Sequence, residues 1–128
     1  MEVSVKLVEG LRAEATDGRH AVVLDEPVEE GGTDRGMTPT RLFLVSLGSC
    51  AVITARLYAK RKGWKLEGME VKVRMERPGG DVPPRIEQEI TLRGDLDDEQ
   101  RERLRVIAGR CPVHRLVTEP VEMTERLA

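Results

Sequence analysis

The sequence lacks the features that mark several large classes of proteins. Its 128 residues contain no run of about 18 uncharged apolar residues, which would predict a membrane span, and the first residues do not have the pattern of a secretory signal. Lys and Arg number 21 against 23 Asp and Glu, so the basic excess typical of nucleic-acid binders is missing. Only three aromatic residues are present, too few to stack a series of bases. We therefore expect a cytoplasmic protein that binds neither nucleic acid nor a membrane.

Composition also bears on the source and size of the protein. The sequence has no Asn, two Gln and 34% charged residues, with 16 Arg among its 21 basic residues. Few thermolabile amides combined with many charges are typical of heat-adapted proteins, so we expect a thermophile as the source. Because the 128 residues contain no internal repeat and no linker, we expect a single domain over residues 1–128.

Hydrophobic periodicity predicts short strands in the first third of the chain. Val3, Val5 and Leu7 alternate with polar residues, which is the period of a half-buried strand. Weaker apolar runs at 11–15 and 21–24 predict two more strands, and a polar loop rich in glycine follows at 25–37.

A long helix is predicted after this loop. Thr38 is a suitable N-cap, Pro39 suits the first helical position, and Gly63 is a natural stop. Residues 42–53 carry no charge on any face, whereas a surface helix normally has a polar stripe. We therefore expect this helix to be covered on all sides, most simply by a second copy of the chain.

The second half of the chain returns to strands and then to helices. Two runs of alternating apolar residues, 69–75 and 86–92, predict an antiparallel hairpin. The acidic segment 95–99 opens a second helix, a short helix is expected over 112–117, and a last strand is expected over 121–125. Because strands and helices are segregated along the chain, the predicted fold class is α+β.

The two cysteines are the residues best suited to chemistry. Cys50 lies in the most apolar part of the long helix, where a cysteine commonly serves as a small buried hydrophobe. Cys111 stands between Arg110 and Pro112, so a guanidinium and helix N–H groups are expected to favour its thiolate, although a simple helix cap is the alternative. If the helices pack together, the two sulfurs can form a disulfide after one of them is oxidised.

Metal and cofactor chemistry find little support in the sequence. His20 and His114 are its only histidines, and no CxxC or HxxxH spacing is present, so a zinc site is not expected. P-loop, GxGxxG and GxSxG motifs are also missing. We expect neither a metal ion nor another cofactor.

Two segments around the cysteines form a pair of motifs. A glycine-rich loop and a proline at 31–39 lead into the apolar segment 42–50, which ends at Cys50. The run Arg110-Cys111-Pro112-Val113-His114 follows an amphipathic helix. Together, in this order, they resemble the signatures of the OsmC/Ohr family, the osmotically induced and organic hydroperoxide resistance proteins. The predicted order of elements is similar to that of the family over nearly the whole chain.

The resemblance implies an OsmC-like fold, in which two antiparallel sheets wrap around long central helices in an intertwined homodimer. It further implies a cofactor-free peroxidase that reduces organic hydroperoxides in oxidative-stress defence. In that cycle Cys50 would be the attacking thiol, Cys111 would be the resolving thiol, and an external dithiol would be the reductant.

The sequence departs from the family pattern at the start of the long helix. Family members carry a Glu nine or ten residues before the first cysteine, where this sequence has Thr40 and Arg41. The family's Arg that pairs with this Glu matches no motif here, and four residues are candidates for it: Arg12, Arg19, Arg35 and Arg41. We expect Arg41 or Arg35 to supply the positive charge near the thiolate.

Two other functions stay open at this level. The same dimer could bind an apolar small molecule with both cysteines purely structural, and its thiols would then react slowly. A thioesterase-like enzyme is a weaker alternative, because a long buried helix wrapped by a sheet suits acyl chains. No Asp or Glu lies in the apolar segment to act as its base.

Overall fold

The chain forms two antiparallel sheets, one long helix and two shorter ones. The computed structural model describes all residues from Met1 to Ala128. In chain order the elements are β1 (Ser4–Glu9), β2 (Arg12–Thr16), β3 (Ala21–Leu24), a turn of 3-10 helix (Val28–Glu30), α1 (Pro39–Lys62), β4 (Lys65–Glu76), β5 (Arg85–Asp95), α2 (Asp98–Ala108) and α3 (Pro112–Thr118). The predicted α+β class is confirmed.

The chain divides into two compact units, Met1–Phe43 and Leu44–Ala128. The boundary falls within α1, at a position with no linker composition. The expectation of a single domain over residues 1–128 stays a prediction.

The first sheet, in the order β1-β2-β3, has one apolar face. Directly opposed residues project from the same face of a sheet, and the register places six small or apolar side chains there: Val5, Ala15 and Val22 in one row, and Leu7, Ala13 and Leu24 in the next. Of these six, Leu24 alone is buried, and Leu7 is 75% exposed. The apolar face of this sheet is therefore largely uncovered in the single chain.

The ends of α1 lie where the sequence predicts them. Thr38 Oγ1 accepts a hydrogen bond from the Arg41 N–H at 3.3 Å, and Pro39 is the first helical residue. Gly63 follows the last helical residue with a left-handed φ of 69°, a conformation that glycine adopts without strain. By length and composition alone α1 could cross a membrane, with a mean hydropathy of 1.7, but core helices of soluble proteins meet the same criterion.

A stripe of small residues on α1 forms the core of the second unit. Ala51, Ala55 and Ala59 recur every four residues, as one face of a helix requires, and none is more than 1% exposed. Their partners come from the rest of the unit: Leu66, Leu96, Leu104 and Ala108. Because an alanine side chain ends at Cβ, these partners approach the backbone of α1 closely.

The hairpin of β4 and β5 also approaches α1 closely at Gly48. A Cβ atom placed on Gly48 would lie 2.9 Å from Val73 Cγ2, closer than real Cβ atoms come to a neighbour. The hairpin therefore packs on α1 two residues before Cys50. Its outer face carries opposed charges, since Lys72 lies opposite Glu89 and Arg74 lies opposite Glu87.

Large apolar side chains of α1 remain exposed on the side away from the alanine stripe. Ile53 is 58% exposed and Leu57 is 63% exposed. As its uncharged sequence suggests, α1 thus has apolar residues both toward the core and away from it.

The predicted last strand over Val121–Glu125 is wrong. Residues 121–128 contain no regular secondary structure, and β4 and β5 pair only with each other. A strand needs a neighbour to satisfy its backbone N–H and C=O groups, and this segment has none within the chain.

Arg101 of α2 holds the end of β5 and the turn that follows it. Its guanidinium donates hydrogen bonds to the carbonyl oxygens of Leu92, Gly94 and Leu96 at 2.9, 3.0 and 3.1 Å. One side chain thereby satisfies three backbone acceptors between the hairpin and α2.

We predict that Arg101→Ala lowers the free energy of unfolding by about 2 kcal/mol, because three part-buried carbonyl oxygens lose a charged donor. Chemical denaturation would measure the loss. Arg105→Ala on the same helix is the control, since its guanidinium pairs with Glu102 at the surface and is 60% exposed. Equal losses for the two variants would contradict this role of Arg101.

Candidate functional site

The structure brings Cys50 and Cys111 together from two different helices. Cys50 lies in the middle of α1, beside Ala51 in the buried stripe. Cys111 is the N-cap residue of α3 and is fully buried. The Cys50 side chain is near enough to the Cys111 thiol to raise its pKa, and both cysteines are free. Two neighbouring thiols can form a disulfide after one of them has been oxidised to a sulfenic acid.

The turn between α2 and α3 explains the position of Cys111. Gly109 is the C-cap residue of α2, and its N–H donates to the Arg105 carbonyl at 3.2 Å. Pro112 begins α3, because a proline loses no hydrogen bond at the first helical position. Cys111 is therefore left between the helices with an extended backbone, and its Sγ accepts the His114 N–H at 3.3 Å.

Burial raises the pKa of the Cys111 thiol above its ordinary value of 9.0, because removal from water disfavours the thiolate. The His114 N–H opposes the rise, and the neighbouring Cys50 side chain adds to it. The expectation that the surroundings of Cys111 favour its thiolate is therefore wrong for the thiol as a whole, although the helix N–H groups act in the expected direction. The N–H groups of Val113 and His114 do not offset the burial of the sulfur, and Arg110 is exposed to solvent.

A groove of about 340 Å³ is lined by residues that lie close to the two cysteines in the chain, although neither cysteine lines it. Thr54, one turn after Cys50, and Pro112, directly after Cys111, both line it. The remaining walls are apolar, aromatic or basic: Leu57, Ile107, Tyr58, Arg61 and Arg110. A cavity of this size can accept a small organic molecule.

The two arginines expected to support the thiolate lie in the first unit. Arg41 is in the first turn of α1 and Arg35 is in the loop before it, and both residues are exposed. Neither guanidinium forms an ion pair within the chain. Both are therefore free to bind a negatively charged group.

Asp25 organises the loop that carries Arg35, although its sequence context did not suggest this role. The carboxylate is 1% exposed and accepts hydrogen bonds from the Thr33 hydroxyl at 2.5 Å, the Glu26 N–H at 2.8 Å and the Arg35 N–H at 3.2 Å. The hydrogen bond from the Thr33 hydroxyl, together with those from the two N–H groups, lowers the pKa of Asp25 to about 2. Burial opposes this shift. The one available signal is an acidic residue directly after the apolar run 21–24.

We predict that Asp25 makes the protein sensitive to acid. Its pKa falls from 3.8 to about 2 on folding, so its contribution to stability is present above pH 3.8 and is lost as the pH falls toward 2. Asp25→Asn should therefore lower the midpoint of thermal unfolding at neutral pH and flatten its decline between these two pH values. Asp81→Asn, at the exposed tip of the hairpin, is the charge-matched control. An unchanged acid profile in Asp25→Asn would exclude the role.

The histidines take no part in a metal cluster. His20 Nδ1 lies 3.1 Å from Asp17 Oδ2 in an exposed turn, and His114 contributes its backbone N–H to Cys111. No group of three or more His, Cys, Asp or Glu side chains is arranged to hold a metal ion.

Comparison with known families finds one family model that matches most of the chain. A family model described as OsmC-like protein matches residues 32–126, which include both cysteines and the loop before α1. The chain belongs to this family. A search of curated proteins finds no match to this OsmC-like chain.

Solved structures share the OsmC-like fold. An OsmC-like protein from Mycoplasma pneumoniae has a TM-score of 0.78 and 20% identity, with 91% of this chain and 86% of that chain covered. An organic hydroperoxide resistance protein OsmC from Legionella pneumophila has a TM-score of 0.66 and 22% identity, with 91% and 89% covered. The organic hydroperoxide resistance protein OhrB of Bacillus subtilis has a TM-score of 0.61 and 21% identity, with 91% and 88% covered.

Proposed function

We propose that this OsmC-like protein is a cytoplasmic thiol peroxidase that reduces organic hydroperoxides through Cys50 and Cys111. The observation that carries the proposal is the proximity of two free thiols from different helices. The groove lined by Thr54 and Pro112, which follow the two cysteines in the chain, supports an organic substrate. Family membership supports a peroxide-related role, because the structural relatives from Legionella pneumophila and Bacillus subtilis are named organic hydroperoxide resistance proteins.

In the first step the Cys50 thiolate attacks the terminal oxygen of the hydroperoxide. An S–O bond forms while the O–O bond breaks, and the organic product leaves as an alcohol after taking up a proton. The sulfur is oxidised by two electrons to a sulfenic acid, and the hydroperoxide is reduced by the same two electrons.

In the second step Cys111 resolves the sulfenic acid. Its thiol gives up a proton and its sulfur attacks the Cys50 sulfur, so an S–S bond forms, the S–O bond breaks and water leaves. The raised pKa of Cys111 suits this role, because a buried, protonated thiol does not compete with Cys50 for the peroxide. An external dithiol then reduces the disulfide by two exchange reactions and is itself oxidised.

We assign the support of the Cys50 thiolate to Arg41 or Arg35. Both guanidinium groups are exposed and unpaired within the chain. A nearby positive charge favours a thiolate over a thiol. Because Thr40 and Arg41 stand where family members have a Glu, the charge would act without a carboxylate partner from these positions.

The proposal includes a homodimer, which would cover the exposed apolar residues. Leu57 of α1 and Leu7 of the first sheet are both more than half exposed in the single chain. Within the first sheet, Val5, Leu7 and Val22 share the exposed apolar face, and a soluble monomer rarely leaves such a face uncovered. We expect sedimentation analysis to give one species of twice the 14.3 kDa chain mass. A species of the chain mass at micromolar concentration would contradict the dimer.

The peroxidase cycle can be tested by stopped-flow kinetics with cumene hydroperoxide on the reduced protein, followed by mass measurement. We predict that Cys50→Ser reduces turnover to the uncatalysed rate. Cys111→Ser should keep the first step and accumulate a sulfenic acid at Cys50, because no second thiol is available. The wild-type protein should lose two hydrogen atoms as its internal disulfide forms.

The arginine assignment is tested in the same assay. Arg41→Gln or Arg35→Gln should slow the first step by about tenfold, because the positive charge proposed to stabilise the attacking sulfur is removed. Arg77→Gln, an exposed residue beyond the end of β4, is the control for a general loss of charge.

Wild-type turnover by Cys50→Ser would overturn the proposed function.

The alternative function is a binding protein whose groove holds an apolar molecule and whose cysteines are structural. Full burial of Cys111 and the apolar walls of the groove favour it. Titration of the folded protein with a thiol reagent separates the two functions. Slow reaction of both cysteines, with no disulfide after exposure to cumene hydroperoxide, would support the binding protein. The thioesterase gains no support, since α1 contains no acidic residue.

A further inference from the structure

A second cleft in the Leu44–Ala128 unit has aromatic walls. Its volume is about 580 Å³, within the range of small-molecule sites, and it is lined by the end of α1, by Trp64 and by α2. Tyr58 and Trp64, two of the three aromatic residues in the chain, pack edge to face in its wall, with ring centroids 5.5 Å apart. Val106 adds a further apolar surface. Neither cysteine lines this cleft.

Two unpaired cations line the same cleft. Lys62 and Arg103 form no ion pair within the chain. Arg103 Nε donates to the Tyr58 hydroxyl at 3.1 Å, which holds the guanidinium 5.5 Å from the centroid of the ring. Both of its Nη groups remain without a partner in the chain. A guanidinium fixed in this way offers the planar pair of donors that binds carboxylate and phosphate groups.

Of the three acidic residues that line the cleft, Glu102 is in an ion pair and the other two lie at the N-terminus of α2. Asp97 caps α2 by accepting the Gln100 N–H at 2.7 Å. Glu102 accepts two hydrogen bonds from Arg105, at 2.6 and 2.9 Å. The two cations therefore face two carboxylates outside an ion pair, Asp97 and Glu99, and the fixed guanidinium of Arg103 is the feature that favours an anion.

The ionisation of Tyr58 reports the same local field. Its pKa is lowered, first by the hydrogen bond from Arg103 and then by the charges of Arg103, Lys62 and Arg61, although burial opposes them. Positive charges that stabilise a phenolate would also stabilise a bound anion.

We propose that this cleft binds a small organic anion. Arg103 and Lys62 would hold its carboxylate or phosphate group, and Tyr58 and Trp64 would contact an apolar, preferably aromatic, body. The inference goes beyond the peroxidase function: Tyr58 lines both the groove and the cleft, but Lys62, Trp64 and Arg103 line the cleft alone.

The only tryptophan of the chain lies in the cleft wall, so its fluorescence reports binding directly. We would titrate the full chain with benzoate and with phenyl phosphate, and use benzyl alcohol as the neutral counterpart. At low ionic strength we expect a saturable change in emission with at least one anion and at least about tenfold weaker binding of benzyl alcohol. The anion that binds more tightly identifies the preferred head group.

Substitutions test which groups hold the anion. Arg103→Gln should weaken binding about tenfold, whereas Arg77→Gln, which removes the same charge outside the cleft, should leave the affinity unchanged. Tyr58→Phe keeps the ring but removes the oxygen that orients Arg103, so a smaller loss is expected. Cys50→Ser should bind as the wild type does, which keeps this test separate from that of the peroxidase.

Three results would each overturn the proposal. The first is no saturable change with either anion. The second is an equal loss of affinity in Arg103→Gln and Arg77→Gln, which would indicate a nonspecific charge effect. The third is binding of benzyl alcohol as tight as that of the anions.

Discussion

Close packing between α1 and α2 determines where the second cysteine lies. Ala51, Ala55 and Ala59 let the apolar residues of α2 approach the backbone of α1, and Leu104 is fully buried as a result. The end of α2 is thereby held in place, and the chain turns directly into Cys111. The proximity of the two sulfurs is thus a consequence of helix packing, because nothing local joins two residues so far apart in the chain. A bulkier side chain in the stripe would displace α2 and with it the second thiol.

The environment of Cys111 shows two physical effects of opposite sign. A helix N-terminus offers an N–H group to the sulfur, which favours the thiolate, while burial removes the water that a thiolate needs. Burial is the larger of the two effects, so the pKa of Cys111 is raised. In a two-thiol cycle a raised pKa at Cys111 is useful, since its sulfur can stay protonated until Cys50 has been oxidised.

Three arginines of α2 serve three purposes, and their spacing sets Arg103 apart from the other two. Arg101, Arg103 and Arg105 are two residues apart, and each step of two residues turns the side chain roughly 200° around the helix. Arg101 consequently meets the carbonyl oxygens at the end of the hairpin, whereas Arg103 meets Tyr58. Arg105 pairs with Glu102 at the surface. The same residue type therefore acts as a backbone anchor, as a cleft-lining cation and as a surface ion pair.

Features that depend on neighbours in the chain could be predicted from the amino-acid sequence, and these include the two ends of α1, the hairpin, the start of α2 and the family motifs. Caps such as Thr38 and stops such as Gly63 act through hydrogen bonds and backbone angles within a few residues, so their signals are local. The protonation of Cys111, the network around Asp25 and the missing strand at Val121–Glu125 could not be predicted in this way. Each depends on burial or on a partner distant along the chain, and these are set by how the elements pack.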